Sequence, residues 1–313
     1  MNIAVLDIGS NTTKILIAAK SNTGKLVSVA EKSYPCRLGT SLMQERPVLS
    51  VIMRDTTIKV IDQLLSFATP FSPVKTRIVA TEALRRIENA DLLIKEVQNL
   101  FSLNIEILSG AEEAFFIASG LLTDPALNHV STFCAIDLGG GSMEIMRICN
   151  GTCESVKSLP LGAVVLAEQF LGNLANKPGQ EGIVRLQNHV FSTLADSCVV
   201  LLKDCSHLVG SGGSIVFLRH LISSMNQLDF EQQSKLNEDS IKVISNKMNG
   251  LDLASRCQQF PLLPADRADV FPAALLAIME LLKFCQLTSI THSFHNLRYG
   301  IAENIINSFS PLK

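Results

Sequence analysis

The chain has 313 residues, of which 47% are hydrophobic, and a formal net charge of −2. This length and apolar content suffice for two hydrophobic cores, since single cores stop growing near about 250–300 residues. The charge excludes an overall basic surface that would recruit nucleic acid or an anionic membrane, and with no Trp and two Tyr there are few aromatic side chains to stack on bases.

The first residues already have the pattern of a β-strand, and they lack the charged and apolar regions of a secretory signal. No apolar run reaches the about 18–20 residues that a membrane span needs. The eight cysteines are scattered, and Cys149 and Cys153 bracket a hairpin turn without a second Cys or His pair at zinc-ligand spacing. We therefore expect a cytoplasmic protein that neither spans a membrane nor binds zinc.

The first predicted element is a β-hairpin, with strands over residues 3–6 and 15–19. Its turn contains Asp7, Gly9, Ser10, Asn11 and Thr12. Residues 25–33 then predict a strand, 51–67 a helix, 75–80 a strand, 81–101 a helix and 104–108 another strand. This alternation is typical of an α/β layer.

Residues 109–122, SGAEEAFFIASGLL, predict a helix with a capping box, because Glu112 follows Ser109 by three residues. Glu113 then lies in the first turn, where the helix dipole favours the ionised carboxylate that a general base needs. The alternative is that both glutamates only complement the dipole. The position of the helix at the end of the first half leaves Glu113 free to face a cleft.

Residues 133–148, FCAIDLGGGSMEIMRI, repeat the layout of the first hairpin. The turn is glycine-rich, so its backbone can approach a ligand and its amide groups can bind an anion. The carboxylates at its edges, Asp137 and Glu144, suit a hard cation such as Mg²⁺. A glycine turn can also be only a hairpin, but the repeat favours a duplicated unit in which each half supplies one phosphate-binding loop.

The rest of the second half predicts strands over 154–159, 207–210 and 289–291 and helices over 163–171, 183–201 and part of 304–309, with 226–250 mostly helical. VGSGGS places Gly212, Gly213 and Ser214 before an apolar helix, which indicates either an anion site or tight strand-to-helix packing. Arg267 precedes a long apolar helix, where an arginine is either solvated or able to bind phosphate bidentately. The six histidines form no pattern that suggests a triad.

Seven segments of this chain, in this order, resemble the exopolyphosphatase / guanosine pentaphosphate phosphohydrolase (Ppx/GppA) family: DIGSNT, VATEALRR, EILSGAEEA, AIDLGGGSMEI, SLPLGA, VGSGGS and RADVFPA. The resemblance covers essentially the whole chain and implies a short, two-domain form. The implied fold is α/β, with two ribonuclease-H-like domains of the actin-like ATPase superfamily around a central cleft. We place these domains at 1–125 and 126–313, with the option that the last helix packs back on the first domain.

The resemblance also implies roles for individual residues. Glu113 falls where the family has its catalytic carboxylate, which activates the attacking water. Asp7, Asp137 and Glu144 fall at positions expected to bind Mg²⁺, with a monovalent cation such as K⁺ as a further candidate. The positions expected to bind phosphate are Ser10, Asn11, Thr12, Arg85, Gly140, Gly141, Ser142, Gly212, Gly213, Ser214 and Arg267.

The expected activity is Mg²⁺-dependent hydrolysis of the terminal phosphoanhydride of inorganic polyphosphate or of guanosine pentaphosphate, by a homodimer. Two departures from the family pattern bear on substrate preference and tail packing: Ala274 replaces a glycine, and Tyr299 replaces a glutamate. The sequence leaves two other functions open. One is an ATP-dependent kinase of the same superfamily, and the other is a non-catalytic sensor of polyphosphate or an alarmone.

Overall fold

The computed structural model describes residues 1–38, 46–202 and 204–309, and the chain divides into two units. The first unit consists of Met1–Asn128 with His295–Lys313, and the second of His129–Phe294. The sequence-based boundary lay at 125/126, with the option that the last helix packs back on the first domain, and here His295–Lys313 belongs to the first unit. The sequence also predicts a loop over 34–47, of which 39–45 lie outside the described residues.

The first unit begins with the predicted hairpin. Its elements are β1 (Asn2–Ile8), β2 (Thr12–Lys20), β3 (Leu26–Pro35), α1 (Val51–Ala68), β4 (Lys75–Ala80), α2 (Glu82–Arg86), α3 (Ala90–Phe101), β5 (Ile105–Ile107) and α4 (Gly110–Leu121). The sheet has the order β3-β2-β1-β4-β5, in which the hairpin strands are antiparallel and β1, β4 and β5 are parallel.

The single helix predicted over 81–101 is wrong, because α2 ends at Arg86 and α3 starts at Ala90. Asn89 lies at this break, and its side chain hydrogen-bonds the backbone of another segment. Its Oδ1 accepts from the Leu49 amide at 2.7 Å and its Nδ2 donates to the Leu49 carbonyl at 3.0 Å. The Asn89 side-chain amide therefore holds the segment before α1 in place, at the position where the predicted helix is interrupted.

The second unit repeats the same plan. Its elements are β6 (Thr132–Leu138), β7 (Met143–Cys149), β8 (Thr152–Leu159), α5 (Ala163–Phe170), α6 (Gln180–Leu202), β9 (Leu208–Ser211), α7 (Gly213–Asn226), β10 (Lys235–Asn237), α8 (Glu238–Asn249), α9 (Leu253–Gln259), α10 (Ala265–Ala268), α11 (Phe271–Cys285) and β11 (Ser289–His292). The sheet order is β10-β11-β9-β6-β7-β8.

The two sheets share one strand order. Strands β8-β7-β6-β9-β11 correspond to β3-β2-β1-β4-β5, and β10 adds an antiparallel edge to the second sheet. This order, three antiparallel strands followed by parallel strands, is that of a ribonuclease-H-like sheet, so the predicted α/β fold and the predicted duplication are confirmed. The prediction that 226–250 is mostly helical is wrong at 235–237, where β10 forms.

The last helix, α12 (Leu297–Ser308), packs on α4 within the first unit. Two glycines permit a close crossing of their backbones. A Cβ at Gly300 would overlap the Phe116 carbonyl, and a Cβ at Gly120 would overlap the Asn296 carbonyl. Backbone contact between the two helices therefore fixes the position of α4.

Short 3₁₀ turns at Thr69–Phe71, Pro125–Leu127 and Phe230–Gln232 complete the elements of the described ranges. Among the helices that the structure describes, none combines the length and the apolar character needed to cross a membrane.

Candidate active site

In the first unit, the predicted site segments leave the sheet at one edge. Ile8 at the end of β1 pairs with Ala80 at the end of β4, and Ala80 pairs with Ile107 at the end of β5. Ligands of α/β sheets bind at this carboxyl edge of the parallel strands. The hairpin turn, the α2 segment and the start of α4 follow directly from these three strand ends.

The hairpin turn of the first unit is closed by a hydrogen bond from the Gly9 amide to the Thr12 carbonyl, at 3.1 Å. The Asn11 carbonyl accepts from the amides of Cys36 and Arg37, at 2.9 and 3.0 Å. Because a trans peptide points its N–H opposite to its carbonyl, this arrangement turns the Thr12 amide away from β3. Cys36 and Arg37 brace the turn from more than twenty residues away, so sequence reasoning missed them.

Asp7 lies on β1 opposite Lys14 on β2. Directly opposed residues of an antiparallel pair point to the same face, with Cβ atoms about 4.5–5.5 Å apart. The carboxylate that was predicted as a metal ligand therefore shares its face with an ammonium group. Lys14 did not enter the sequence-based site, although its place across the turn from Asp7 was a signal for it.

Glu113 is buried in the first turn of α4, with 7% of its surface exposed. The predicted capping box is confirmed: the Glu112 amide donates to Ser109 Oγ, and the Ser109 amide donates to Glu112 Oε2 at 2.8 Å. The cap engages the side chain of Glu112 and leaves Glu113 to point in another direction. Glu113 accepts from Arg85 Nη1 at 2.9 Å.

Arg85 is shared between two carboxylates. Its Nη2 donates to Glu82 Oε2 at 2.8 Å, while its Nη1 donates to Glu113 and to the Leu108 carbonyl. Burial disfavours the charged guanidinium, but the ion pairs with Glu113 and Glu82 outweigh it and raise the pKa of Arg85. Arg85 was predicted to bind phosphate, which stays a prediction, and here its guanidinium holds the candidate base.

Polar contacts of Arg298 and Tyr299 anchor helix α12 to the first sheet. Arg298 Nη2 pairs with Glu31 Oε2 at 2.8 Å and its Nη1 donates to the Ile15 carbonyl at 3.1 Å. The Tyr299 hydroxyl donates to Glu31 Oε1, also at 2.8 Å. Burial, followed by the Glu31 charge, raises the pKa of Tyr299, so the phenol stays protonated and able to donate. Tyr299, which departs from the family pattern, is therefore a packing residue of the first unit.

In the second unit, four polar side chains form a row across the sheet. Asp137 pairs in register with Ser211 on one side and with Glu144 on the other, and Glu144 pairs with Ser158. Ser211 Oγ donates to Asp137 Oδ2 at 2.6 Å, and Ser158 Oγ donates to Glu144 Oε1 at 2.7 Å. The serines hold the two carboxylates in place. They could not be found from sequence because strand register defines them.

The glycine turn of the second unit has the same closure as the first, with the Gly139 amide donating to the Ser142 carbonyl at 3.1 Å. The first amides of α5, those of Ala163 and Val164, donate to the carbonyls of Gly139 and Gly140, both at 2.9 Å. The same trans-peptide geometry turns the amides of Gly140 and Gly141 away from α5. This arrangement presents neighbouring N–H groups that can bind an anion.

The close approach of α5 to this turn depends on Gly162, where a Cβ would overlap the backbone of Gly140, Gly141 and Ser142. Ser142 is itself buried, with 4% of its surface exposed. Gly162, which belongs to the motif SLPLGA, therefore lets the backbone before α5 pack directly against the turn.

A second glycine segment lies beside Asp137. Gly212 has φ +95° and ψ 162°, a backbone region that is essentially confined to glycine. A Cβ on Gly212 would lie 2.9 Å from Asp137 Oδ1 and 2.8 Å from the Leu138 carbonyl oxygen. The buried guanidinium of Arg267 lies against Gly213, since a Cβ there would be 3.3 Å from Arg267 Nη2. The second unit thus brings Asp137, Gly212, Gly213 and Arg267 together.

We expect Gly212→Ala to lower the free energy of unfolding by about 1–3 kcal/mol, because alanine cannot adopt this backbone conformation without strain and its methyl group would press on Asp137. Chemical denaturation followed by circular dichroism measures the effect. Gly172→Ala is the matched control, since Gly172 also has a positive φ, +69°, but a Cβ there meets nothing within 4 Å. Equal losses in the two variants would show that the contacts of the new methyl group with Leu138 and Asp137 are unimportant.

The residues of the second unit fit a hard divalent cation. Asp137 and Glu144 share one face, their serine partners supply further oxygen atoms, and the missing side chain of Gly212 leaves room at Asp137 Oδ1. In the part of the chain that the structure describes, no cluster of three or more His, Cys, Asp or Glu side chains could hold a metal ion. The metal site therefore stays a prediction that rests on two carboxylates.

Comparison with known proteins identifies relatives along most of the chain. Residues 16–309 match the model of the Ppx/GppA phosphatase family. A guanosine-5'-triphosphate,3'-diphosphate pyrophosphatase of Aeromonas salmonicida is 24% identical over 311 residues, which cover 97% of this chain and 59% of that protein. A second pyrophosphatase of this name, from Vibrio atlanticus, is 22% identical, again over 59% of its length. The chain thus spans about three fifths of these relatives.

Solved structures match over nearly the full chain. The Ppx/GppA family member of Aquifex aeolicus matches with a TM-score of 0.81 and 25% identity. The match covers 99% of this chain and 99% of that chain. An exopolyphosphatase from Cytophaga hutchinsonii has a TM-score of 0.88 with 99% of both chains covered, and at 19% identity it supports the fold.

Proposed function

Because the chain belongs to the Ppx/GppA phosphatase family, we propose that it hydrolyses the terminal phosphoanhydride bond of inorganic polyphosphate and releases orthophosphate. The observation that carries the proposal is the buried Glu113 carboxylate, fixed by Arg85 at 2.9 Å in the first turn of α4. A fixed carboxylate at the carboxyl edge of a sheet is suited to accept a proton from an attacking water. Phosphoryl transfer otherwise needs positioning and charge neutralisation rather than covalent chemistry.

The groups of each unit have separate roles in this proposal. In the first unit, Glu113 orients the water and takes its proton, and the turn at Ser10, Asn11 and Thr12 binds phosphate oxygens. In the second unit, the amides of Gly140 and Gly141 bind phosphate, and Arg267 is the neighbouring cation. Asp137 and Glu144 would hold Mg²⁺, which when bound neutralises charge on the phosphate oxygens.

A kinase is less well supported. It would need a carboxylate that activates the hydroxyl group of an acceptor, and no carboxylate among the described residues is better placed for such a role than Glu113. The intact set of Glu113, Asp137 and Glu144 likewise favours an enzyme over a non-catalytic sensor.

A second candidate substrate is guanosine pentaphosphate, from which the same chemistry would remove the terminal phosphate. The names of the curated relatives favour it. Both substrates present a terminal phosphoanhydride, and in this proposal the turns described above would bind phosphate rather than base.

The test is phosphate release from long-chain polyphosphate, guanosine pentaphosphate and ATP, each with Mg²⁺ and with a chelator. We expect release from polyphosphate that stops when the metal is removed, with a smaller or comparable rate on guanosine pentaphosphate. Phosphate release from none of the three would refute the proposal. Phosphorylation of a small acceptor by ATP, without release from polyphosphate, would favour the kinase instead.

A further inference from the structure

Each carboxylate of the acidic pair in the second unit has a serine beside it on the outer strand. The sheet order β9-β6-β7-β8 places four residues side by side and in register: Ser211, Asp137, Glu144 and Ser158. The two carboxylates are therefore neighbours in the middle of the row. Like charges directly opposite each other on adjacent strands are destabilising, so this arrangement favours a cation at the pair.

The serine hydroxyl groups donate to the carboxylates. Ser211 Oγ lies 2.6 Å from Asp137 Oδ2 and 3.3 Å from the Ile136 carbonyl oxygen. A serine hydroxyl has one hydrogen, and a bond from a hydroxyl to an ionised oxygen is about 2.5–2.7 Å long, so the hydrogen points to Asp137. Ser158 Oγ makes the equivalent bond to Glu144 Oε1 at 2.7 Å. Both carboxylates are thus held by charge-assisted hydrogen bonds.

The orientation of Asp137 depends on two consecutive residues of the segment VGSGGS. The torsion that rotates a carboxylate is intrinsically broad, so hydrogen bonds and packing must fix it. Ser211, which is 0% exposed, holds Oδ2, and the next residue, Gly212, lies against Oδ1, since a Cβ there would be 2.9 Å away. Oδ1 is therefore held where β9 ends, at the carboxyl edge of the parallel strands. This segment thus orients a carboxylate, in addition to the anion binding or packing expected of it.

We propose that Ser211 and Ser158 are positioning residues that hold Asp137 and Glu144 in the orientation needed to bind a divalent cation. The inference deepens the proposed function, because it rests on the cation site assigned there. Residues that hydrogen-bond a metal ligand typically contribute about 10–100-fold to metal affinity, since they orient the ligand before the metal arrives.

The experiment measures the binding of Mn²⁺ to the full chain without substrate, from the electron paramagnetic resonance signal of the free ion. Mn²⁺ prefers the same oxygen ligands as Mg²⁺. We expect Ser211→Ala and Ser158→Ala each to weaken Mn²⁺ binding by about 10–100-fold relative to the wild type. An excess of Mg²⁺ should displace Mn²⁺ from the wild type.

Two further variants separate positioning from a general loss of structure. Ser158→Thr keeps a hydroxyl group at a half-buried strand position, so it should bind Mn²⁺ within a factor of a few of the wild type. Ser223→Ala is the matched control, because Ser223 is 5% exposed and its hydroxyl donates to the Arg219 carbonyl at 2.9 Å within α7. It should bind Mn²⁺ as tightly as the wild type. Circular dichroism of each variant shows that it is folded.

Three results would overturn the proposal. They are a wild type that binds no Mn²⁺, alanine variants of Ser211 and Ser158 that bind Mn²⁺ as tightly as Ser223→Ala, or a Ser158→Thr protein that binds as weakly as Ser158→Ala. Failure of the proposed hydrolysis is a separate outcome. A chain that binds Mn²⁺ but releases no phosphate from polyphosphate would lack the proposed activity, while the roles of the two serines would stand.

Discussion

Replacing Glu113 by glutamine is expected to reduce the rate of polyphosphate hydrolysis by about 10²–10⁴, the usual contribution of a general base. Glutamine has the size and the acceptor oxygen of glutamate, so the contact with Arg85 at 2.9 Å can persist while the proton acceptor is lost. Glu82 remains 2.8 Å from Arg85, so the guanidinium keeps a counter-charge. Phosphate release at saturating polyphosphate measures the change, and we expect the substrate concentration for half-maximal rate to move little.

Glu112→Gln is the control for this variant. Glu112 is the adjacent residue in the same helical turn, and glutamine also serves in a capping box, so the start of α4 should be preserved. Its rate should stay within a factor of a few of the wild type. If Glu113→Gln hydrolyses polyphosphate as fast as Glu112→Gln, Glu113 is not the base.

Gly300→Ala is expected to have the largest effect on stability, because the new methyl group would overlap the Phe116 carbonyl and lie 2.8 Å from the Gly120 nitrogen. All these atoms belong to the backbone of α4, so no side chain can rotate away and α12 must move. Overpacking of this kind costs typically about 1–3 kcal/mol, and a backbone contact favours the upper end. Urea denaturation followed by circular dichroism measures the change in the free energy of unfolding.

Asn304→Ala is the matched substitution, since it introduces alanine into the same helix at an exposed position. Alanine is the better helix former, so this variant should be as stable as the wild type or slightly more stable. A Gly300→Ala protein as stable as Asn304→Ala would show that α12 does not need the close crossing with α4.

Local sequence patterns predicted the parts of the site that lie within one turn of the chain. The capping box at Ser109 and Glu112 depends on residues three apart, and it correctly located the helix that carries Glu113. The two glycine turns were also found, because each lies between two apolar strands. The sequence itself shows the duplicated layout, and in the structure the amides of Gly9 and Gly139 close the two turns with equivalent hydrogen bonds.

Contacts between segments that are distant in the chain could not be predicted from the sequence. The Tyr299 hydroxyl binds Glu31 across 268 residues, and no periodicity links the two positions. Ser158 and Ser211 become partners of the acidic pair only through strand register, which a single sequence does not define. Strand β10 was missed because three residues, Lys235–Asn237, are too short to show an alternating pattern.

The crossing of α12 with α4 also has a consequence for the order of events during synthesis. The first unit is built from two stretches of chain, and the whole second unit, His129–Phe294, is translated between them. Domains can fold while the ribosome is still at work, but α4 stays uncovered until residues 297–308 emerge. The helix that carries Glu113 is therefore among the last elements to reach its final packing, and a nascent chain can complete its second unit before its first.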